Sequence, residues 1–387
     1  MNQLFRRMRF AAVLSVLLPV ILLRGISASA ADVPEISAKA CILTDAQTGF
    51  VLFAQNADEK LPMASTTKIM TTLLTLESGD LDTPFTVDSD AIHVEGSSMG
   101  LQEGDTVTRR VLCAGMLLPS GNDGANAAAV SVGGSIPHFV EMMNARAQEI
   151  GMTRTCFATP SGLDAEGHGA SARDMALLAR EALRNPDFAS ICCRQSMTVC
   201  YGNPPYARTL TNTNRLLSED ETVIGVKTGY TDAAGRCLVS ACRREGRTLL
   251  CVTLNDRNDF AEHQALYDYG FAGAAAYTPP VPDPVEVPVE GGAVQAVKGY
   301  IREAPALTAW YGVPPEYTVT AAVPPFLTAP VGKGAQIGAL IWRSGTAEIA
   351  RTPLYAAENV QLSADMREES WIVRTINRLK QILFNYI

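Results

Sequence analysis

The chain is predicted to be α+β, on three observations. Apolar runs of helical period fill its middle, strand-like runs flank them on both sides, and a helix-poor stretch follows a Pro-rich connector. At the N-terminal side, Ala40–Asp45 and Phe50–Ala54 read as a hairpin turning through Ala46-Gln47-Thr48-Gly49. Ile69, Met70, Leu73, Leu74 and Leu76 follow at spacings that bury one helical face, so a helix begins near Ser65 and runs to Gly79. Residues 79–110 are turn-rich. Helices are expected from Thr108 to Leu117, Ala125 to Val132, Ile136 to Ile150 and Ser171 to Leu183, the last opened by Ser171 as a cap. The period then changes, and 222–228, 236–241 and 247–253 read as strands, the last two joined by a turn at Arg244-Glu245-Gly246. Thr278 to Pro284 is a rigid connector. Beyond it, 285–358 alternates β-type residues with Pro and Gly, and 331–338 reads as a turn between strands.

Two segments bear on location. Arg6, Arg7 and Arg9 precede an apolar run from Ala11 to Leu23, and Ala28-Ser29-Ala30 supplies small residues for cleavage, so residues 1–30 read as a signal peptide. An uncleaved anchor is the alternative, and either one exports the remainder. At the far end, Ile372, Ile376, Leu379 and Leu383 align along one helical face, and 371–387 contains Arg374, Arg378 and Lys380 but no acid. Such a basic amphipathic helix suits an anionic membrane interface, with packing against its own protein as the alternative.

The totals narrow the function. Net charge is −8 without a basic, aromatic-interleaved cluster, which argues against a nucleic-acid partner. Nine cysteines, an odd count without small-scaffold spacing, read mostly as buried hydrophobes. With four histidines and no Cys-x-x-Cys or His-x-x-x-His pairing, neither a metal nor a cofactor is expected.

Chemistry enters at Ser65-Thr66-Thr67-Lys68. Residues three apart are neighbours on a helix, so the Lys68 amine can reach the Ser65 hydroxyl, and the helix N-terminus favours negative charge developing there. A capping serine followed by a solvated lysine would look the same. Two further elements in order, Ser120-Gly121-Asn122 and Lys227-Thr228-Gly229, weigh against that reading. A serine hydroxyl is a poor nucleophile without a base, and a lysine serves only if its pKa falls; Lys227 and desolvation would lower that of Lys68.

Together with Gly96-Ser97-Ser98-Met99, Thr213 to Leu217 and Gly229 to Arg236, these elements make the chain resemble the serine D-Ala-D-Ala carboxypeptidases, the low-molecular-mass penicillin-binding proteins of peptidase family S11. The resemblance covers nearly the whole chain. It implies a penicillin-recognising, β-lactamase-like domain over 31–277, a small β-rich domain over 278–366 and a membrane-association helix over 367–387. It further implies removal of the terminal D-alanine from peptidoglycan stem peptides through an acyl-enzyme, covalent inhibition by β-lactams, and a place on the outer face of the bacterial cytoplasmic membrane.

By the same resemblance Ser65 is the nucleophile, Lys68 its base and Ser120 a proton relay. Asn122 would hold the acyl peptide's amide, Lys227 and Thr228 the terminal carboxylate, and Gly229 lets the ligand approach the backbone. Backbone N–H groups of Ser65 and Tyr230 would form the oxyanion hole; some relatives carry His where this chain has Tyr230. Arg257 reads as a surface arginine and His168 as structural. The alternatives are a D,D-endopeptidase, a class A β-lactamase-like hydrolase whose deacylating acid would fall near Glu181, and a non-hydrolytic sensor of wall peptide or β-lactam.

Overall fold

The computed structural model describes residues 33–364 together with 375, 376 and 378–380. The expected signal peptide and most of the expected tail helix lie outside the described residues. Of the tail, Thr375, Ile376 and 378–380 are helical and exposed.

A five-stranded antiparallel sheet organises the larger part of the chain, in the order Val51–Gln55, Ala40–Asp45, Arg247–Leu254, Gly235–Arg244, Val223–Thr231. The expected hairpin and the three later strands thus share one sheet. Its inner strands are apolar on both faces, because each face is covered. Ala40, Ile42, Cys237, Val239 and Ala241 point into one core, while Cys41, Leu43, Leu238 and Cys242 point into another.

Helices Lys68–Glu77, Arg109–Leu117, Asn122–Gly133, Ile136–Ile150 and Ala172–Arg184 contribute to the first core. Ser171 caps the last of these by accepting from Asp174 N at 3.1 Å, as its spacing predicts. The second core is closed by a helix over Asp259–Ala272. Periodicity does not announce this element, since its apolar residues are spread round the helix instead of along one stripe. A hairpin of Ser196–Gly202 with Pro205–Thr211 also has no counterpart in the sequence reading.

The C-terminal stretch is all-β, as expected. Six strands pair in the order Thr318–Ala322, Gln336–Ser344, Ala347–Ala356, Ala296–Tyr300, Val285–Glu290, Leu327–Thr328. They enclose their own core around Val287, Val297, Leu340, Trp342 and Leu354. Trp310, on a strand paired with Ala274–Tyr277, instead packs into the second core of the larger part.

One close approach fixes the floor of the site. Thr71 Oγ1 donates to Pro160 O at 2.6 Å, and a methyl built on Gly162, whose φ is 87°, would lie 2.0 Å from Ala64 O. Only glycine fits there. Gly162→Ala is therefore expected to destabilise the protein by roughly 3 kcal/mol, read as a lowered denaturation midpoint; an unchanged midpoint would contradict this packing.

Candidate active site

Ser65 does not open an α-helix. Ala64–Thr67 forms a 3-10 turn, and the α-helix starts at Lys68. In a 3-10 turn residues i and i+3 eclipse, which sets Lys68 beside Ser65 more directly than α geometry would. Lys68 Nζ lies 2.8 Å from Ser65 Oγ, 2.7 Å from Asn122 Oδ1 and 2.6 Å from Ser161 O.

Lys68 is wholly buried. Burial first, and the neighbouring Lys227 second, push its pKa well below the ordinary lysine value, against an opposing pull from Asp123. A neutral amine has two N–H donors and one lone pair. Asn122 Oδ1 and Ser161 O are acceptors only, so in the neutral amine they would take both donors and leave the lone pair for the Ser65 hydroxyl.

Asn122 is the first residue of its helix, and its Nδ2 donates to Glu95 O at 2.6 Å. The resemblance gives this amide to the substrate; in the structure it orients the Lys68 amine and holds the 95–97 backbone. Asp123, which sequence reasoning passed over, accepts from Ser98 Oγ and from the backbone N–H groups of Met99, Gly100 and Leu101 at 2.6 to 3.0 Å. It therefore fixes the 97–101 loop. Its signal was adjacency to the Ser-Gly-Asn element, but loop closure of this kind has no local pattern. Ser120 precedes these residues with φ 67°, a left-handed conformation that costs a non-glycine residue about 1 kcal/mol and aims its hydroxyl into the site.

Lys227 is also wholly buried, its Nζ donates to Thr228 O at 2.8 Å, and burial lowers its pKa to about 7. Thr228, the next residue on the strand, lines the cavity. Thr228 Oγ1 and Thr213 Oγ1 are 2.6 Å apart.

Val223–Thr231 is an edge strand. Its Tyr230 stands opposite Arg236, whose carbonyl accepts from Asp256 N on the far side at 2.9 Å. That makes Tyr230–Arg236 a non-hydrogen-bonded pair, so the Tyr230 N–H points off the free edge. Gly229 brings this edge against the 3-10 turn: a methyl there would stand 3.0 Å from both Ser65 N and Thr66 N. The N–H groups of Ser65 and Tyr230 thus belong to the two segments that meet at this contact.

The resulting cavity, about 350 Å³, is lined by Ser65, Ser97, Ser120, Thr213, Thr228, Gly229 and Tyr230, with Arg236, Asp259 and Phe260. Arg257 is exposed and absent from that lining, as its surface reading requires. His168 is structural. Its Nδ1 accepts from Ala158 N at 2.9 Å, its Nε2 meets Thr67 Oγ1 at 2.9 Å, and burial lowers its pKa to about 4.

A serine hydroxyl 2.8 Å from a buried lysine amine, beside a free strand edge, is the arrangement of a serine acyl-transfer hydrolase. The comparisons name the class more narrowly. The D-alanyl-D-alanine carboxypeptidase family matches residues 27–258, and the C-terminal domain of penicillin-binding protein 5 matches 281–362. D-alanyl-D-alanine carboxypeptidase DacC of Escherichia coli is 34% identical over 361 residues, 85% of this chain and 86% of that one. DacF of Bacillus subtilis is 35% identical over 250 residues, 61% of this chain and 62% of its own. Penicillin binding protein 5 of Haemophilus influenzae superposes with a TM-score of 0.61 at 28% identity, covering 85% of this chain and 99% of its own. The chain belongs to the peptidase S11 family of serine D-alanyl-D-alanine carboxypeptidases.

A lysine serves as base only when neutral, so with Lys68 in that role the acylation rate is expected to fall as pH drops through its pKa. Lys227→Gln removes a cation that holds that pKa down, so the acid limb of the rate–pH profile is expected to move to higher pH. Acylation by a fluorescent penicillin across pH checks this; a uniform loss with an unmoved limb would contradict it.

Proposed function

We propose that Ser65 is acylated by the penultimate D-alanine of a peptidoglycan stem peptide and that Lys68 takes its proton. One observation carries this reading: Lys68 Nζ stands 2.8 Å from Ser65 Oγ with its other two partners both carbonyl oxygens. Ser65 Oγ attacks the scissile carbonyl as its proton passes to Lys68. The oxyanion is held by the N–H groups of Ser65 and Tyr230, each worth about 3 kcal/mol in the transition state. Ser120, on the cavity wall, gives its hydroxyl proton to the departing D-alanine amine and takes one back from Lys68; water then cleaves the ester, releasing the shortened peptide and restoring the Ser65 hydroxyl. Substrate adds as a strand to the free edge at 228–230, where Gly229 admits its backbone.

A β-lactamase-like turnover needs a carboxylate to drive water onto the ester. Glu181 does not serve: it pairs with Arg146 at 2.9 Å and Arg184 at 3.1 Å and is not part of the cavity lining. Asp259, the carboxylate in the lining, is paired with Arg236. This favours a slow-deacylating β-lactam adduct. Export follows from the composition of residues 1–30, and peripheral membrane attachment from the acid-free, amphipathic 371–387 segment.

Purified protein is expected to release D-alanine from diacetyl-Lys-D-Ala-D-Ala and to retain penicillin on Ser65, with Ser65→Ala losing both. Rapid nitrocefin hydrolysis would overturn the reading, as would stable labelling without D-alanine release. Truncation after Met366 is expected to move the protein from the membrane to the soluble fraction; unchanged sedimentation would refute the attachment.

A further inference from the structure

We propose that a second cavity, remote from Ser65, binds a phosphate-bearing anion through Arg180, Arg184, Arg243 and Arg247. Its volume is about 400 Å³, and it shares no residue with the cavity around Ser65. Arg180 and Arg184 stand one turn apart on the helix Ala172–Arg184. Arg243 and Arg247 come from either side of the turn that joins strands Gly235–Arg244 and Arg247–Leu254. Thr308, on the strand paired with Ala274–Tyr277, closes another side and accepts from Arg247 Nε at 3.2 Å. Ile224 reaches this cavity from the start of the strand whose residues 228–230 line the other one, roughly 17 Å further along. The two cavities therefore take separate ligands.

Four guanidinium groups round one cavity are unexpected in a chain of net charge −8, and their partners leave much of the charge unmatched. Neither Arg180 nor Arg243 pairs with a carboxylate among the described residues. Arg180 Nη2 donates to Gln47 O at 2.5 Å, and Arg243 Nε to Thr248 Oγ1 at 3.1 Å. Arg180 Nε is buried without a hydrogen-bond partner. Burial first, and the like charge of Arg184 second, pull the Arg180 pKa below the ordinary guanidinium value against weaker pulls from Asp45 and Glu181. Arg184 and Arg247 do have acids, Glu181 at 3.1 Å and Glu245 at 3.2 Å, but Glu181 is shared with Arg146 and Glu245 is 86% exposed. Such exposed pairs are weak. Asp45, the acid in the lining, turns its oxygens to Gln47 N, Thr48 N and Thr48 Oγ1. Like charges at i, i+4 and an unpaired buried donor both cost stability, and an anion in the cavity removes both costs.

A phosphate suits this set better than a carboxylate does. Its tetrahedral oxygens accept from several planar forks at once, whereas a carboxylate offers two oxygens in one plane. Leu183, Ala189 and Ile224 give the cavity an apolar flank for the carbon skeleton that carries the phosphate. A soluble phosphate ester and a phospholipid headgroup offer the same chemistry, and the test separates them.

The full chain is titrated by calorimetry at fixed ionic strength with glycerol 3-phosphate, with monomeric dihexanoyl phosphatidylglycerol and with acetate. Wild type is expected to bind a phosphate probe with a Kd below about 1 mM, and acetate at least about 10-fold more weakly. Preference for the lipid assigns the site to a headgroup, and preference for glycerol 3-phosphate assigns it to a soluble ester; either supports the proposal. Arg180→Gln and Arg243→Gln are each expected to weaken the preferred probe about 10-fold, and Arg180→Lys, which keeps charge but not the fork, to weaken it less. Arg351→Gln, at an exposed arginine outside the cavity, is the control for unspecific attraction. Thermal denaturation reports whether Arg180→Gln keeps the fold; Arg243 is exposed, so its variant carries the test if that one does not. No binding by wild type, acetate bound as tightly, Gln variants without effect, or an equal loss in Arg351→Gln would overturn the site.

Discussion

The site depends on the cost of burying an ammonium group. Lys68 and Lys227 are both wholly enclosed, and removing an isolated charge of that kind from water costs several kcal/mol. A buried lysine escapes the cost by giving up its proton, which turns an ordinarily inert amine into a base. At Lys68 the neighbouring Lys227 adds to the effect of burial, since a charge there disfavours a second one nearby. Lys68 is the residue in contact with Ser65, so the consequence falls on the nucleophile. Asp123 pulls the other way, yet its oxygens are already engaged by Ser98 and the backbone of 99–101.

The remaining architecture keeps these groups in register. The five-stranded sheet is apolar on both faces, so it is stiff between two cores, and its Val223–Thr231 edge faces the site. Glycine at 229 lets that edge touch the 3-10 turn, and glycine at 162 lets the loop beneath support Ala64. These contacts bring segments far apart in sequence into one cavity. The C-terminal sheet has its own core and contributes no residue to that cavity.

Much of this was legible in the chain. Hairpin, helices and strands follow hydrophobic period, and the three polar elements stand out because each interrupts an otherwise apolar stretch. What escaped has a common cause. That Ser65 sits in a 3-10 turn depends on packing against Gly162 and Gly229, which no local pattern records. Arg236 escaped because its position opposite Tyr230 is a matter of hairpin register, and the Asp259–Ala272 helix that braces it has no apolar stripe. That Asn122 joins Lys68 to Glu95 was not legible either, because both partners are remote from it in sequence.

The most direct test of the central claim is the protonation state of Lys68 itself. NMR of protein carrying lysine labelled at Cε, titrated with pH and assigned against Lys68→Arg, reads that state without any substrate. The account predicts a Lys68 resonance that titrates well below the ordinary lysine range near 10.5. A resonance titrating at or above that value would mean the amine is charged when it meets Ser65, and the mechanism built on it would fail.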